Sequence, residues 1–121
     1  MEVNITIPKK LGDNFRSRVS RSGGSRSSIA RSLLLRSIKT IKDQSVHGSA
    51  GIKAIDSKVL LYRSHSKENS RRISITLSST DARGLGEVID YYKKNSVGFA
   101  SETEACTCLV LLAIDPPQPW T

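Results

Sequence analysis

With 121 residues the chain is large enough to bury one hydrophobic core and too short for two independent ones. At 37% hydrophobic content it is globular but lean, and it holds no apolar run near the roughly 20 residues that cross a bilayer and no secretory signal pattern, so the expectation is a soluble, cytoplasmic protein. Its net charge of +8 is uneven, residues 1–42 carrying +8, residues 43–70 +1 and residues 71–121 −1, which points to an anionic partner for the first segment.

The chain opens on "EVNITIPKK", where Val3, Ile5 and Ile7 alternate with Glu2, Asn4 and Thr6. That period of two predicts a strand with one apolar and one polar face. Pro8 suits the entry to a first helical turn. Leu11, Phe15 and Val19 then recur every four residues on one helix face, and Gly12 is expected to weaken that helix by up to ~1 kcal/mol relative to Ala. Gly23-Gly24 ends it. Ser25 is placed to cap a second helix, whose stripe is Ile29, Leu33, Leu34, Ile38 and Ile41.

A connector follows over residues 43–70. Gly48 to Gly51 reads as loop, while Ile52, Ile55, Val59 and Leu60 have the spacing of one more short helix, although "KVLLYR" fits a strand as well. Next comes "RRISITLSS", in which Ile73, Ile75 and Leu77 alternate with Ser74 and Thr76. Ser79 or Thr80 is placed to cap a helix carrying Leu85, Val88, Ile89 and Tyr92 on one face. Asn95 to Gly98 breaks it, and Ser101 with Glu104 forms a capping-box pattern. That box opens a helix through Ala105, Leu109, Leu112 and Ala113, which Pro116 and Pro117 end.

The two halves repeat. The apolar strand residues match at an offset of 70, and the caps Ser25 and Ser101 lie 76 apart, so the second copy has gained six residues in its first helix or the turn after it. The expected organisation is a single domain: a first strand–helix–helix repeat (1–42), a connector (43–70), a second repeat (71–115) and a Pro-rich tail (116–121). A lone two-stranded ribbon is marginal in water. Antiparallel pairing of the two copies, with their apolar sides on four intertwined helices, leaves both polar faces pointing outward together.

Little in the chain suggests an enzyme. Cys106 and Cys108 are two ligands short of a structural zinc site, and His47 and His65 are distant from them. There is no nucleophile elbow, phosphate-cradling glycine loop or paired-carboxylate motif. No catalytic residue, metal or cofactor is expected, and the two cysteines read as small buried or half-buried residues.

"VNITIP", the short amphipathic helix and "GSRSSIARSLL" together resemble the ribbon-helix-helix DNA-binding family. That family normally dimerises from one strand each. Here the resemblance is to its fused form, as in relaxosome accessory proteins of conjugative plasmids and in virulence proteins of tumour-inducing plasmids that bind the overdrive enhancer beside transferred-DNA borders. It implies an α+β, mostly helical fold in which two ribbon-helix-helix units form a pseudo-dimer around a two-stranded antiparallel ribbon. It implies double-stranded DNA as partner, with a relaxase and a partition-type ATPase of the same transfer system as protein partners.

Position by position, the resemblance places base reading on Glu2, Asn4, Thr6, Arg72, Ser74 and Thr76. Among them Arg72 suits a guanine and Asn4 an adenine. Phosphate binding falls on Ser25, Arg26 and Ser27 at the start of one second helix and on Ser101 and Thr103 at the start of the other, where Glu102 and Glu104 depart from a basic pattern. Lys9, Lys10 and Arg71 lie near the strand ends, in reach of the DNA backbone. A repressor or antitoxin-type regulator is the alternative within DNA binding. The alternative outside it is a protein-interaction module using an exposed sheet edge or the "DPPQPW" tail with Trp120. A membrane-surface role is weaker, because the basic helices lack bulky aromatics on their apolar sides.

Overall fold

The computed structural model describes residues 1–43, 48–65 and 67–116, apart from the side chains of 48–50. His47 and the tail residues Pro117, Pro119 and Trp120 lie outside the described residues. Strand β1 (Glu2–Pro8) leads through a 3-10 turn (Lys9–Leu11) to helices α1 (Asp13–Ser22), α2 (Arg26–Asp43) and α3 (Gly48–Ser64). Strand β2 (Ser70–Thr76) is followed by α4 (Ser79–Lys94) and α5 (Glu102–Ile114). The fold is α+β and mostly helical, with one two-stranded antiparallel sheet among the described residues.

The alternation read in both strands decides how they pack. Val3, Ile5, Ile7, Ile73, Ile75 and Leu77 are buried, and the residues between them face outward. The register pairs Glu2 with Thr76, Asn4 with Ser74 and Thr6 with Arg72. Each strand leans on the second helix of the other half: α5 packs against β1 and α2 against β2. The sheet and the helices therefore share one core.

Helix α5 is apolar all round, and Ala105 through Ala113 are buried on every side. A helix without a polar stripe must be enclosed; α2, α3 and β1 enclose this one. Burial pushes the thiols of Cys106 and Cys108 up to about 12, so both act as small apolar fillers. Two buried hydroxyls tie α5 to its neighbours. Ser37 Oγ donates to the Leu109 carbonyl at 2.6 Å. Thr107 Oγ1 accepts the Thr6 backbone N–H at 3.0 Å, pairing a donor on the sheet edge that has no ladder partner.

A contrasting hydroxyl is that of Tyr92. The residue is 1% exposed, its ring tilted against Tyr91 and edge-on to Phe99, yet its OH has no hydrogen-bond partner among the described residues, and burial drives its pKa upward. Leaving a buried donor unpaired costs about 1–3 kcal/mol, whereas deleting a hydroxyl that has no partner costs little. Thr107→Val is therefore expected to destabilise by about 1–2 kcal/mol. Tyr92→Phe is expected to be neutral or stabilising, with urea melts of the two variants side by side as the check.

Several local expectations change. Gly12 is not inside a helix: it stands between the 3-10 turn and α1, donating to Lys9 O at 3.2 Å, so it imposes no helix-interior penalty. Ser78, not Ser79 or Thr80, caps α4, its Oγ accepting Asp81 N–H at 3.1 Å. Ser25 does cap α2, through Ser28 N–H at 3.1 Å. Gly48 to Gly51 form the first turn of α3, where helix N–H groups lack intrahelical partners in any case and glycine costs less. "KVLLYR" is helical, and α3 runs to 17 residues. Its Ile55 and Val59 are buried as spaced, but Leu60 is 69% exposed and does not belong to the buried face.

The length difference between the halves is visible in the helices: α4 has 16 residues and α1 has 10. The turns after them also differ. Gly23 ends α1 at φ 68, a left-handed value that glycine adopts without strain. After α4, Ser96 takes the same left-handed φ of 68 and Val97 N–H returns to Tyr92 O at 2.9 Å. Close approach of α2 and α4 depends on Gly84, where a Cβ would meet Ile38 Cγ2 at 3.3 Å.

Candidate nucleic-acid interface

The outward ribbon face is laid out as three facing pairs. Asn4 and Ser74 stand in the middle, joined by Ser74 Oγ donating to Asn4 Oδ1 at 3.0 Å. Glu2 and Thr76 flank them on one side, Thr6 and Arg72 on the other. At about 3.4 Å per residue the face spans roughly 13 Å along each strand. Glu2, Arg72, Ser74 and Thr76 are exposed, whereas Asn4 and Thr6 are half-buried.

Thr6 is engaged in a way its strand pattern does not reveal. Its Oγ1 lies 2.9 Å from the Tyr62 hydroxyl of α3, while its N–H is held by Thr107. A tyrosine from the connector therefore borders this corner of the face. Opposite it, Arg72 projects freely.

The Thr6–Arg72 end of the ribbon is also where the cations gather. Lys9, Arg26, Arg71 and Arg72 border one opening between the strand ends, the 3-10 turn and the start of α2, and all are exposed. Ser25 and Ser27 sit exposed on the same helix start. Lys10 lies beside them, its backbone N–H donating to Glu68 Oε1 at 3.2 Å. Glu68 in turn bonds His65, and that hydrogen bond, aided by Lys10, holds its carboxyl below the ordinary value. The Glu2–Thr76 end carries an acidic residue instead. Charge thus grades along the ribbon from one end to the other.

At the start of α5, Ser101 Oγ accepts Glu104 N–H at 3.1 Å, as the capping pattern predicts. The reciprocal half differs: Glu104 Oε1 accepts the N–H of Ala100, not of Ser101, at 2.9 Å. Glu104 is itself clamped by Arg63 of α3, whose Nε reaches Oε2 at 3.1 Å and Nη2 reaches Oε1 at 2.7 Å. Arg63 Nη2 also donates to Gly98 O at 3.0 Å. The Glu104 charge is therefore spent inside the molecule, while Glu102 stays exposed beside Ser101 and half-buried Thr103. Arg63 and Tyr62 were not legible as site residues, since neither sits in a motif and their partners are remote in sequence.

Burial raises the pKa of Glu104, but the Arg63 hydrogen bonds, the Ala100 N–H and the Arg63 charge outweigh it, and the net shift is downward. A lowered folded-state pKa contributes stability above the unfolded value, lost as pH falls through the folded one. The stability gap between the native chain and Glu104→Gln is therefore expected to be constant above about pH 5 and to shrink at more acid pH. Denaturant melts of both proteins at neutral and acid pH measure it.

No group of three or more His, Cys, Asp or Glu residues able to hold a metal occurs among the described residues, and no described helix is long and apolar enough to cross a membrane. Compared with known proteins, the chain matches no family model, no curated protein and no solved structure.

Proposed function

We propose that the chain binds double-stranded DNA by laying the β1–β2 ribbon in the major groove. The two strand–helix–helix units act as a tandem ribbon-helix-helix pseudo-dimer. The observation that carries this reading is the outward face: polar, exposed at Glu2, Arg72, Ser74 and Thr76, and flanked at one end by Lys9, Arg26, Arg71 and Arg72. Two strands roughly 4.8 Å apart fit a groove about 12 Å wide, where small polar side chains let the backbone approach base edges.

The register supports the paired units. Asn4 faces Ser74, its own counterpart at the offset of 70, while Glu2 faces the counterpart of Thr6. That is the pairing a two-fold axis through Asn4 and Ser74 generates. Because the units differ at the outward positions, the DNA site is asymmetric, held more firmly towards Arg72. Ser25, Arg26 and Ser27 grip phosphate there through N–H groups and the helix dipole; Ser101 and Thr103 give the weaker anchor.

In the resemblance that suggests this docking, the role is that of an accessory factor in plasmid or transferred-DNA border processing, working beside a relaxase and a partition-type ATPase. Unbiased selection of bound duplexes at two salt concentrations is the test. An asymmetric motif recovered at both supports the reading. Binding that disappears with salt and yields no motif overturns it, leaving only a general anion-binding surface.

A further inference from the structure

The opening at the Thr6–Arg72 end is larger than a phosphate contact requires. It is half open to solvent and holds about 690 Å³, within the range of small-molecule sites, about 300–1,000 Å³. Its floor is apolar: Ile7, Phe15 and Ile73, each at most 7% exposed. Its rim is cationic: Lys9, Arg26, Arg71 and Arg72, for which no carboxylate partner occurs among the described residues. A fifth cation, Arg16, is partnered by Asp13 and by Lys9 O. Like charges facing a shared low-dielectric floor repel one another, and a multivalent anion relieves that repulsion. A phosphate group alone matches the rim and leaves the open space above the floor to water.

We propose that this groove is a binding site for a nucleoside di- or triphosphate, its phosphates on Arg26, Arg71, Arg72 and Lys9 and its planar base over Ile7, Phe15 and Ile73. The site is tested without DNA, so it stands or falls apart from the major-groove reading. Calorimetric titration at physiological salt, without divalent cations, compares ATP, inorganic triphosphate and adenosine. Non-specific attraction favours triphosphate, the more highly charged ion of the two. The groove favours ATP, because only ATP covers the floor.

The expected result is one ATP per chain, bound at least about fivefold tighter than triphosphate. Arg26→Ala with Arg71→Ala is expected to weaken ATP about tenfold or more. Arg36→Ala with Lys39→Ala, the same charge removed from exposed positions on α2 away from the groove, is expected to change it less than about threefold. Thermal melts of both double variants establish that each is folded, and the comparison of ATP with triphosphate needs no variant. Triphosphate binding as tightly as ATP, equal losses in the two double variants, or no ATP binding overturns the proposal.

Discussion

Leu109→Ala is expected to lower the unfolding free energy by about 3–5 kcal/mol, the upper part of the range for truncating a buried leucine. The reason lies in how α5 is enclosed. Leu109 is 0% exposed, and α2, α3 and β1 surround its helix. The cost of such a truncation depends on how far the neighbours collapse into the void. Here they are held in place: the carbonyl of Leu109 is hydrogen-bonded to Ser37, and two residues earlier Thr107 anchors the same stretch of the helix to β1. Leu60→Ala is the control. That residue is 69% exposed, so its truncation should fall within about 0.5 kcal/mol of zero. Urea melts of both variants give the comparison. A loss below about 1 kcal/mol for Leu109→Ala would mean that α5 is not enclosed by its neighbours.

The enclosure of α5 also shows what a linear chain can and cannot disclose. Both strands were legible, because period-two alternation is a property of consecutive residues and needs no partner to be seen. Their antiparallel pairing followed from the matching copies. The helix α3 was only half legible. Its apolar residues divide between the core (Ile55, Val59) and solvent (Leu60, 69% exposed), so its stripe is blurred, and its glycine-rich start resembles a loop. The contacts that seat α3 were not legible at all. Arg63 meets Glu104 41 residues away, and Tyr62 meets Thr6 56 residues away. Charge alone made Glu104 look like an obstacle to phosphate; its partner makes it a structural tie. The same holds for the basic groove, whose members come from β1's end, α1, α2 and β2 and converge only when the sheet forms.

On the proposed docking, Arg72→Ala and Arg26→Ala separate two kinds of DNA contact. Arg72 stands on the outward face, opposite Thr6, with an exposed side chain. A guanidinium there reaches guanine O6 and N7 together, a pairing worth about 1–3 kcal/mol of discrimination, or roughly 10- to 100-fold between the preferred base and its replacement. Its loss should flatten preference at one base pair, on one side of the site only, and leave the rest of the motif intact. Arg26 lies at the start of α2, off the ribbon face, and meets phosphate, which is the same in every sequence. Its loss should weaken all duplexes alike and reduce the slope of log affinity against log salt by about 0.9. Asn4→Ala adds an internal comparison, because it removes the acceptor of Ser74 as well as an adenine contact at the centre of the face. Competition binding of each variant against single-base variants of the selected site, at two salt concentrations, resolves these patterns. An Arg72→Ala protein with an unchanged specificity profile would place the ribbon outside the groove, however basic the surface around it.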